Sequence, residues 1–153
     1  MNILKSKKAE GYRGYIFSRN INNNFIPQRV QNLVIKDFAK RKNFFFKLSS
    51  TEYIMKGSYL MLGALVKEVK TLEGVIFYSY EMLFDNVSFC RDALLNIIKN
   101  KKSVYFALEE FQIKNFNDIK NLLKVIQIKK NSMSFVESRT LKKLLNKSNK
   151  KKS

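Results

Sequence analysis

The sequence predicts an α/β domain, a small three-layer sandwich with a mainly parallel four-stranded sheet, followed by a C-terminal amphipathic helix. Short apolar runs alternate along the chain with amphipathic segments of ten or more residues. That alternation is typical of a parallel sheet with right-handed crossover helices. One run, Val75 to Tyr78, is continuously apolar. A strand buried on both faces has this pattern, so we expect Val75 to Tyr78 at the centre of the sheet.

The first half of the chain supplies two strands and a helix. Gly11 to Ser18 is rich in aromatic residues and predicts a strand. A helix is expected from Pro27 to Lys42, because proline is tolerated in the first turn. Apolar residues recur there at helical spacing, namely Val30, Leu33, Val34 and Phe38. The apolar run Phe44 to Leu48 predicts a second strand, which the polar run Ser49 to Glu52 follows.

The second half repeats the alternation. Helices are expected from Ile54 to Thr71 and from Asn86 to Lys99, with the central strand between them. Val104 to Leu108 predicts the fourth strand, and a fourth helix begins at Asn115. Ser134 and Glu137 have the spacing of a capping box, which predicts the start of a separate last helix.

Charge divides the chain into three parts: a basic N-terminal tail (1–10), one α/β domain (11–132), and a C-terminal helix with a basic, disordered tail (133–153).

The net charge is +18, from 30 basic and 12 acidic residues. Only six basic residues are arginine, whose planar fork is preferred for specific phosphate and base contacts. We therefore expect bulk surface lysine and no sequence-specific nucleic-acid binding. The basic tail is either solubilising or a weak anchor on anionic lipid or nucleic acid.

Several kinds of site are excluded by composition. The chain has no histidine and one cysteine, Cys90, which removes His-based triads, intrachain disulfides and zinc sites built on Cys or His. Cys90 lies between Phe89 and Arg91 on a predicted helix, so we expect a packed thiol and not a nucleophile. No phosphate-binding glycine loop is present, and no metal or cofactor is predicted. The N-terminus lacks a signal-peptide core and no apolar run reaches membrane-span length, so a cytoplasmic location is expected.

A ligand site is predicted beyond the carboxyl ends of the strands, where parallel sheets place their binding loops. Its candidate residues are Ser18, Arg19, Gln28, Asn32, Ser49, Thr51, Glu52, Tyr53, Ser79 and Glu109. A rim rich in hydroxyls and carboxylates suits a sugar or nucleotide sugar. Arg19 is the candidate for a ligand phosphate or carboxylate, and Glu52 for a hydroxyl acceptor or general base. The alternative is that Arg19 and Glu52 pair with each other and fix the loops.

Several segments together resemble the sporadic carbohydrate cluster protein family. They are Gly11–Arg19, Ile26–Asn32, Leu48–Tyr53, Tyr78–Ser79 and Phe106–Glu109, within about residues 11 to 112. The resemblance implies a cytoplasmic role in the biosynthesis of surface polysaccharide of the lipopolysaccharide type. The partner would be a sugar, a nucleotide sugar or an enzyme of glycan biosynthesis. The resemblance implies no reaction, so whether the chain is an enzyme stays open.

The order of elements also resembles the catalytic domain of serine recombinases (resolvases), which implies a resolvase-like or flavodoxin-like fold. Those enzymes carry an arginine before the nucleophilic serine of their first strand, whereas here Ser18 precedes Arg19. After their third strand they carry two arginines, and the matching segment Glu81–Asp85 has none. Arginines neutralise the charge that develops on a transferring phosphate. The alternative function is therefore a catalytically inactive recombinase-like module that binds nucleic acid non-specifically through lysines.

Overall fold

Five strands and four helices make up the part of the chain that is described. The structure, a computed structural model, describes residues 10–150, with the backbone alone at 134–137 and 148–150. The elements in chain order are β1 (Tyr12–Phe17), α1 (Gln28–Arg41), β2 (Phe46–Glu52), α2 (Leu60–Glu68), β3 (Gly74–Phe77), α3 (Val87–Lys99), β4 (Ser103–Phe106), β5 (Phe111–Ile113) and α4 (Phe116–Lys150). Two 3₁₀ segments, Val69–Thr71 and Tyr80–Asn86, follow α2 and β3 respectively.

The sheet has the strand order β2-β1-β3-β4-β5. The first four strands are mutually parallel, and β5 runs antiparallel to β4. The predicted, mainly parallel sheet is confirmed, but its strand number is five and not four. The predicted central strand is also confirmed, because β3 occupies the middle of the sheet and is buried at all four positions.

Aromatic contacts show that helices cover both faces of the sheet. The Phe17 ring lies 6.0 Å from Tyr59, which precedes α2. Tyr12 has the opposite parity on β1 and stacks on Phe44 at 4.1 Å, close to the end of α1. The Tyr105 ring on β4 lies 5.5 Å from Phe38 of α1. Alternate residues of a strand point to opposite faces, so α1 covers one face and α2 the other, as a three-layer sandwich requires.

Two predicted boundaries around β2 are wrong. The strand spans Phe46–Glu52, so the polar run from Ser49 to Glu52 lies inside it and does not follow it. Its residues are mostly half-buried, because β2 is an edge strand, and this hides the alternation of polar and apolar residues. The next helix begins at Leu60, and residues 53–59 form a loop in which Ile54 and Met55 are exposed.

The buried face of α1 and the extent of the last helix also differ from the prediction. In α1 the buried residues are Gln31, Ile35, Phe38 and Ala39, while Val30 and Leu33 are exposed. The predicted break before a separate last helix is wrong, since α4 is continuous through Ser134 and Glu137. No glycine or proline occurs between residues 116 and 150, so nothing in the backbone chemistry interrupts the helix.

The chain divides into two compact units between Ile119 and Lys120. The first contains the sheet, the first three helices and the start of α4, and the second contains the rest of α4. The predicted boundaries of the basic tails stay predictions, because residues 1–9 and 151–153 lie outside the described residues. Among the helices of residues 10–150, none is both long enough and apolar enough to cross a bilayer.

We predict that Ile76→Asp prevents folding. Ile76 is fully buried on the central strand, and an unpaired carboxylate there costs several kcal/mol, a large share of the stability of a small domain. The matched control is Ile54→Asp, the same change at a side chain that is 73% exposed. Circular dichroism and urea unfolding should show a folded control and an unfolded Ile76→Asp chain. A cooperative transition of normal midpoint for Ile76→Asp would contradict the central position of β3.

Candidate functional site

The carboxylate of Glu52 is the most heavily bonded polar group at the carboxyl edge of the sheet. Glu52 ends β2 and is 1% exposed. Its oxygens accept hydrogen bonds from the Tyr15 hydroxyl at 2.7 Å, the Tyr53 N–H at 3.0 Å, the Ser58 hydroxyl at 3.4 Å and the Met61 and Leu62 N–H groups at 3.1 Å. A buried carboxylate is stable only with such saturation, so Glu52 is an architectural group.

Glu52 also serves as the N-terminal cap of α2. The first N–H groups of a helix lack intrahelical acceptors and carry the positive end of the helix dipole. Tyr59, which precedes α2, makes no side-chain cap. The carboxylate of Glu52 accepts from the second and third residues of the helix instead. The end of β2 is thereby tied to the start of α2.

Arg19 is the second buried charge at this edge, with its side chain 6% exposed. Its Nη1 donates to the carbonyl of Tyr53 at 2.9 Å and to that of Ser58 at 2.8 Å. Its Nε donates to Asp85 at 3.2 Å. Arg19 therefore forms its ion pair with Asp85 and not with Glu52, so the predicted Arg19–Glu52 pair is wrong. Arg19 and Glu52 nevertheless both fix the same loop, as that alternative also predicted.

The guanidinium of Arg19 is also enclosed by aromatic rings. Its central carbon lies 4.0 Å from the Phe17 ring centroid and 5.1 Å from that of Tyr59. Among the described residues, its Nη2 is the one buried side-chain nitrogen or oxygen without a hydrogen-bond partner. This enclosure leaves Arg19 no free face toward solvent for a ligand phosphate.

The segment Tyr53–Ser58, which we name the clamped loop, is held at both ends. Arg19 bonds the carbonyls of its first and last residues, and Glu52 bonds the N–H of the first and the hydroxyl of the last. The hydroxyl of Ser18 adds a bond to the Glu52 carbonyl at 2.6 Å, directly before the loop. Of the predicted site residues, Ser18, Arg19, Glu52 and Tyr53 are therefore brought together.

Four further predicted residues form two hydrogen-bonded pairs elsewhere, Ser49 with Asn32 and Ser79 with Glu109. The Ser49 hydroxyl donates to Asn32 on α1 at 2.7 Å. Gly14 on β1 lies against the same hydroxyl, and a Cβ at Gly14 would collide with it, so the close approach requires glycine. The pairing of β1 with β2 shifts register at this point.

The other pair lies after β3 and β4. The Ser79 hydroxyl donates to Glu109 at 2.5 Å and accepts from the Glu81 N–H at 3.2 Å. Burial raises the pKa of Glu109, and the bond from Ser79 partly opposes that rise. A carboxylate that accepts from a serine hydroxyl has the form of a base and nucleophile pair. Ser79 is 1% exposed, however, and its oxygen is occupied as an N-cap acceptor, so the pair stabilises the turn.

The remaining predicted residues take ordinary positions. Gln28 is exposed in the first turn of α1, and Thr51 is half-buried within β2. The convergence of all ten residues on one crevice stays a prediction. In the part of the chain that is described, no three Cys, Asp or Glu side chains are close enough to hold a metal ion.

Sequence reasoning missed Gln31, which is fully buried in α1. Its amide oxygen accepts from the Phe17 N–H and its amide nitrogen donates to the Phe17 carbonyl, both at 2.9 Å. It also donates to the Ile26 carbonyl at 2.8 Å. Gln31 therefore completes the hydrogen bonding at the end of β1. The signal was available, because Gln31 stands four residues before Ile35 and seven before Phe38, on the same helical face.

Cys90 is a packed thiol, as predicted. It is fully buried, and burial raises its pKa to about 12. Burial raises the pKa of the neighbouring Tyr59 hydroxyl as well. The pKa of Tyr15 is raised first by burial and then by its bond to Glu52, so this hydroxyl stays a donor. No nucleophile in this region is both ionised and accessible at neutral pH.

Solved structures with a similar fold are recombinase domains. One is a resolvase family site-specific recombinase from Streptococcus pneumoniae, with 13% identity, a TM-score of 0.58, and coverage of 90% of this chain and 99% of that one. Another is the N-terminal catalytic domain of TP901-1 integrase, with 16% identity, a TM-score of 0.55, and coverage of 78% and 97%. The resolvase-like fold is thus confirmed, and at these identities the likeness establishes the fold alone.

The other comparisons found no similarity. No family model matches the chain, and no curated protein matches it. The resemblance to the sporadic carbohydrate cluster family is therefore not supported.

We predict that Glu52→Gln lowers the free energy of unfolding by about 3 kcal/mol or more, because one amide N–H₂ would face donors that now bond an oxygen. Tyr15→Phe removes a single bond to a charged group and should cost about 1 to 3 kcal/mol. Urea unfolding of both variants gives these values. The control is Glu73→Gln, the same change at an exposed carboxylate. Equal stabilities of Glu52→Gln and Glu73→Gln would rule out the capping role.

We also predict a pH-dependent contribution of Glu109 to stability. A carboxyl whose pKa is raised in the folded state holds its proton more tightly there than in the unfolded chain. Its stabilising contribution is complete below the ordinary value of 4.5 and is lost as the pH rises through the raised pKa.

The measurement is urea unfolding of the wild type and Glu109→Gln from acidic to neutral pH. The free energy of unfolding of the wild type should fall relative to that of the variant as the pH rises. Glu73→Gln, the same change at an exposed carboxylate, serves as the control. A gap that widens in favour of the wild type toward neutral pH would contradict the direction of the shift.

Proposed function

We propose that this chain is a non-catalytic module with a resolvase-like fold that binds nucleic acid without sequence preference through lysine side chains. The supporting observation is the separation of its two kinds of basic residue. Four arginines, Arg13, Arg19, Arg41 and Arg91, are paired with acids in the body of the fold, whereas a set of exposed lysines lies along α4.

The polar groups at the carboxyl edge are already bonded within the fold, which argues against a catalytic role. Ser18 donates to a backbone carbonyl, Arg19 is enclosed, and Glu52 is saturated by five donating residues. Phosphoryl transfer needs cations that can reach the charge developing on the phosphate. Nη1 and Nε of Arg19 are held by two backbone carbonyls and by Asp85, and its third nitrogen, Nη2, is buried.

Among the described side chains, five acids form ion pairs with arginines. Arg13 pairs with Glu68, Arg41 with Asp37 and Glu110, and the remaining pairs are Arg19 with Asp85 and Arg91 with Asp92. Glu52 and Glu109 accept from uncharged donors. Since the chain has 24 lysines and six arginines against 12 acids, most of the excess positive charge of +18 belongs to the lysines.

Helix α4 concentrates that charge. Residues 116–150 contain eight lysines and one arginine against Asp118 and Glu137. A helix of 35 residues is about 50 Å long, comparable to one and a half turns of duplex. Six of its described lysines are exposed, namely Lys120, Lys124, Lys130, Lys142, Lys143 and Lys147. Lysine is a compact point charge, which suits phosphate contacts that carry no sequence information.

A sugar or nucleotide-sugar ligand, or an enzyme partner from glycan biosynthesis, stays a prediction of the sequence. No observation favours it now, because Arg19 and Glu52, the two residues expected to hold such a ligand, are buried and engaged. Weak contact of the basic tail with an anionic membrane likewise stays a prediction.

The test is fluorescence anisotropy with two unrelated DNA duplexes over a series of salt concentrations. We expect equal affinities for both sequences and a steep linear fall of log K with log salt. Changing five exposed lysines of α4 to glutamine, namely Lys120, Lys124, Lys142, Lys143 and Lys147, should weaken binding at low salt. It should also flatten the slope by about 0.9 for each phosphate that lysine no longer neutralises.

The control variant carries the same charge change at five lysines of the first unit. They are Lys36, Lys40, Lys67, Lys70 and Lys101, all exposed. If the control flattens the slope as much as the α4 variant does, bulk charge and not α4 mediates binding. A preference for one sequence at physiological salt, or no binding at low salt, would contradict the proposed function.

A further inference from the structure

The clamped loop ends in an apolar tip that the fold leaves in solvent. Ile54 is 73% exposed and Met55 is 65% exposed, while Tyr53 and Leu60 on either side are 52% and 67% exposed. Hydrophobic side chains scattered singly over a surface are ordinary, but four exposed ones within residues 53–60, two of them adjacent in the chain, favour a contact surface. The tip turns at Gly57, whose φ of +78° is readily adopted only by glycine.

The two ends of the clamped loop are held in place by hydrogen bonds to Arg19 and Glu52. Both ends of the clamped loop are bonded to side chains that are nine-tenths buried, Arg19 through carbonyls and Glu52 through an N–H and a hydroxyl. Tyr59, which follows the loop, is buried and its ring stacks on Phe89 at 5.9 Å. A loop fixed in this way loses little conformational entropy when its tip is buried by a partner.

The charge of the tip favours a polyanionic partner. Lys56 is the one charged residue between Tyr53 and Tyr59, and it stands next to Met55. No carboxylate of this segment opposes a phosphate, since Glu52 at its base is buried and saturated. An uncharged protein surface would not require Lys56, and a second copy of this chain, also at +18, would be repelled.

We infer that the clamped loop is an apolar wedge that inserts Ile54 or Met55 between stacked bases of the nucleic acid, with Lys56 on the adjacent phosphate. This rests on the proposed function and adds to it a mode of contact. Branched and linear apolar side chains that enter a base step unstack it and kink the duplex. The wedge needs a rigid base, apolar atoms at the tip and a flanking cation, and the clamped loop has all three.

The wedge also accounts for binding without sequence preference. An apolar side chain in a base step makes no hydrogen bond to a base edge, and lysine contacts to phosphate carry no sequence information. Steps that unstack easily, such as TA, should be favoured only slightly.

The experiment uses duplexes with 2-aminopurine at several adenine positions, because its fluorescence rises when the base is unstacked. With saturating full-length protein at low salt, we expect a rise on the order of twofold. Ile54→Ser with Met55→Ser should abolish the rise. The salt slope of binding, measured by anisotropy, should stay as in the wild type, because no charge changes.

The matched control is Phe25→Ser with Leu33→Ser, which removes two apolar side chains of similar exposure, 70% and 59%, from elsewhere on the first unit. It should keep the fluorescence rise. Thermal melting of all variants verifies folding, and since the four positions are exposed we expect unchanged midpoints.

The outcomes separate the two proposals. If the wild type binds duplexes but leaves 2-aminopurine fluorescence unchanged, or if the Ile54 and Met55 variant keeps the rise, the wedge is overturned and the proposed function stands. If the wild type binds no duplex, both are overturned. If sedimentation shows a dimer that only the Ile54 and Met55 variant fails to form, the tip is a self-association surface and the wedge is overturned.

Discussion

The burial of the Glu52 carboxylate is the constraint on which the arrangement of the carboxyl edge depends. An ionised carboxyl removed from water is stable only if its lone pairs are filled by donors. The donors come from β1, from the clamped loop and from the start of α2, so three segments must lie where that one group can reach them. One set of bonds meets two needs, because the first turn of α2 lacks acceptors for its N–H groups and the buried Glu52 carboxylate lacks donors.

Arg19 completes this arrangement with the opposite charge and the opposite hydrogen-bonding sense. Glu52 can only accept and takes N–H and O–H groups, whereas Arg19 can only donate and takes the carbonyls of Tyr53 and Ser58. Two buried ions thus satisfy the donors and acceptors of one short loop without forming an ion pair with each other. Asp85 supplies the counter-charge for Arg19, and the rings of Phe17 and Tyr59 shield it from water.

Sequence patterns predicted the sheet well where burial is extreme. The centre of the sheet follows from four consecutive apolar residues, and β3 is buried at every position. The pattern failed where burial is partial or an element is short. β2 is half-buried and contains polar residues, and β5 has three residues after a tight turn, too few for any periodicity.

For the candidate site, the sequence predicted which residues lie together but not what they do. Parallel strands end at one edge, so Ser18, Arg19, Glu52 and Tyr53 were expected there and are found bonded to one another. Their roles could not be predicted. The partners of Arg19 are backbone carbonyls more than thirty residues away in the chain, and the partners of Glu52 are amides of a helix whose start was placed six residues too early.

The few arginines of the chain include two, Arg13 and Arg19, that hold the fold together. A planar fork with five donors can hold several acceptors in fixed geometry, and Arg13 and Arg19 each bond a carbonyl as well as a carboxylate. The guanidinium nitrogens of Arg13 and Arg19 that make these bonds are not available to a phosphate or a base edge. Lysine, with a flexible stem and a hydrated ammonium, contributes little to such architecture and stays at the surface. This division of labour between arginine in the fold and lysine at the surface supports the proposed binding of polyanions through lysine, without the bidentate contacts that distinguish one base sequence from another.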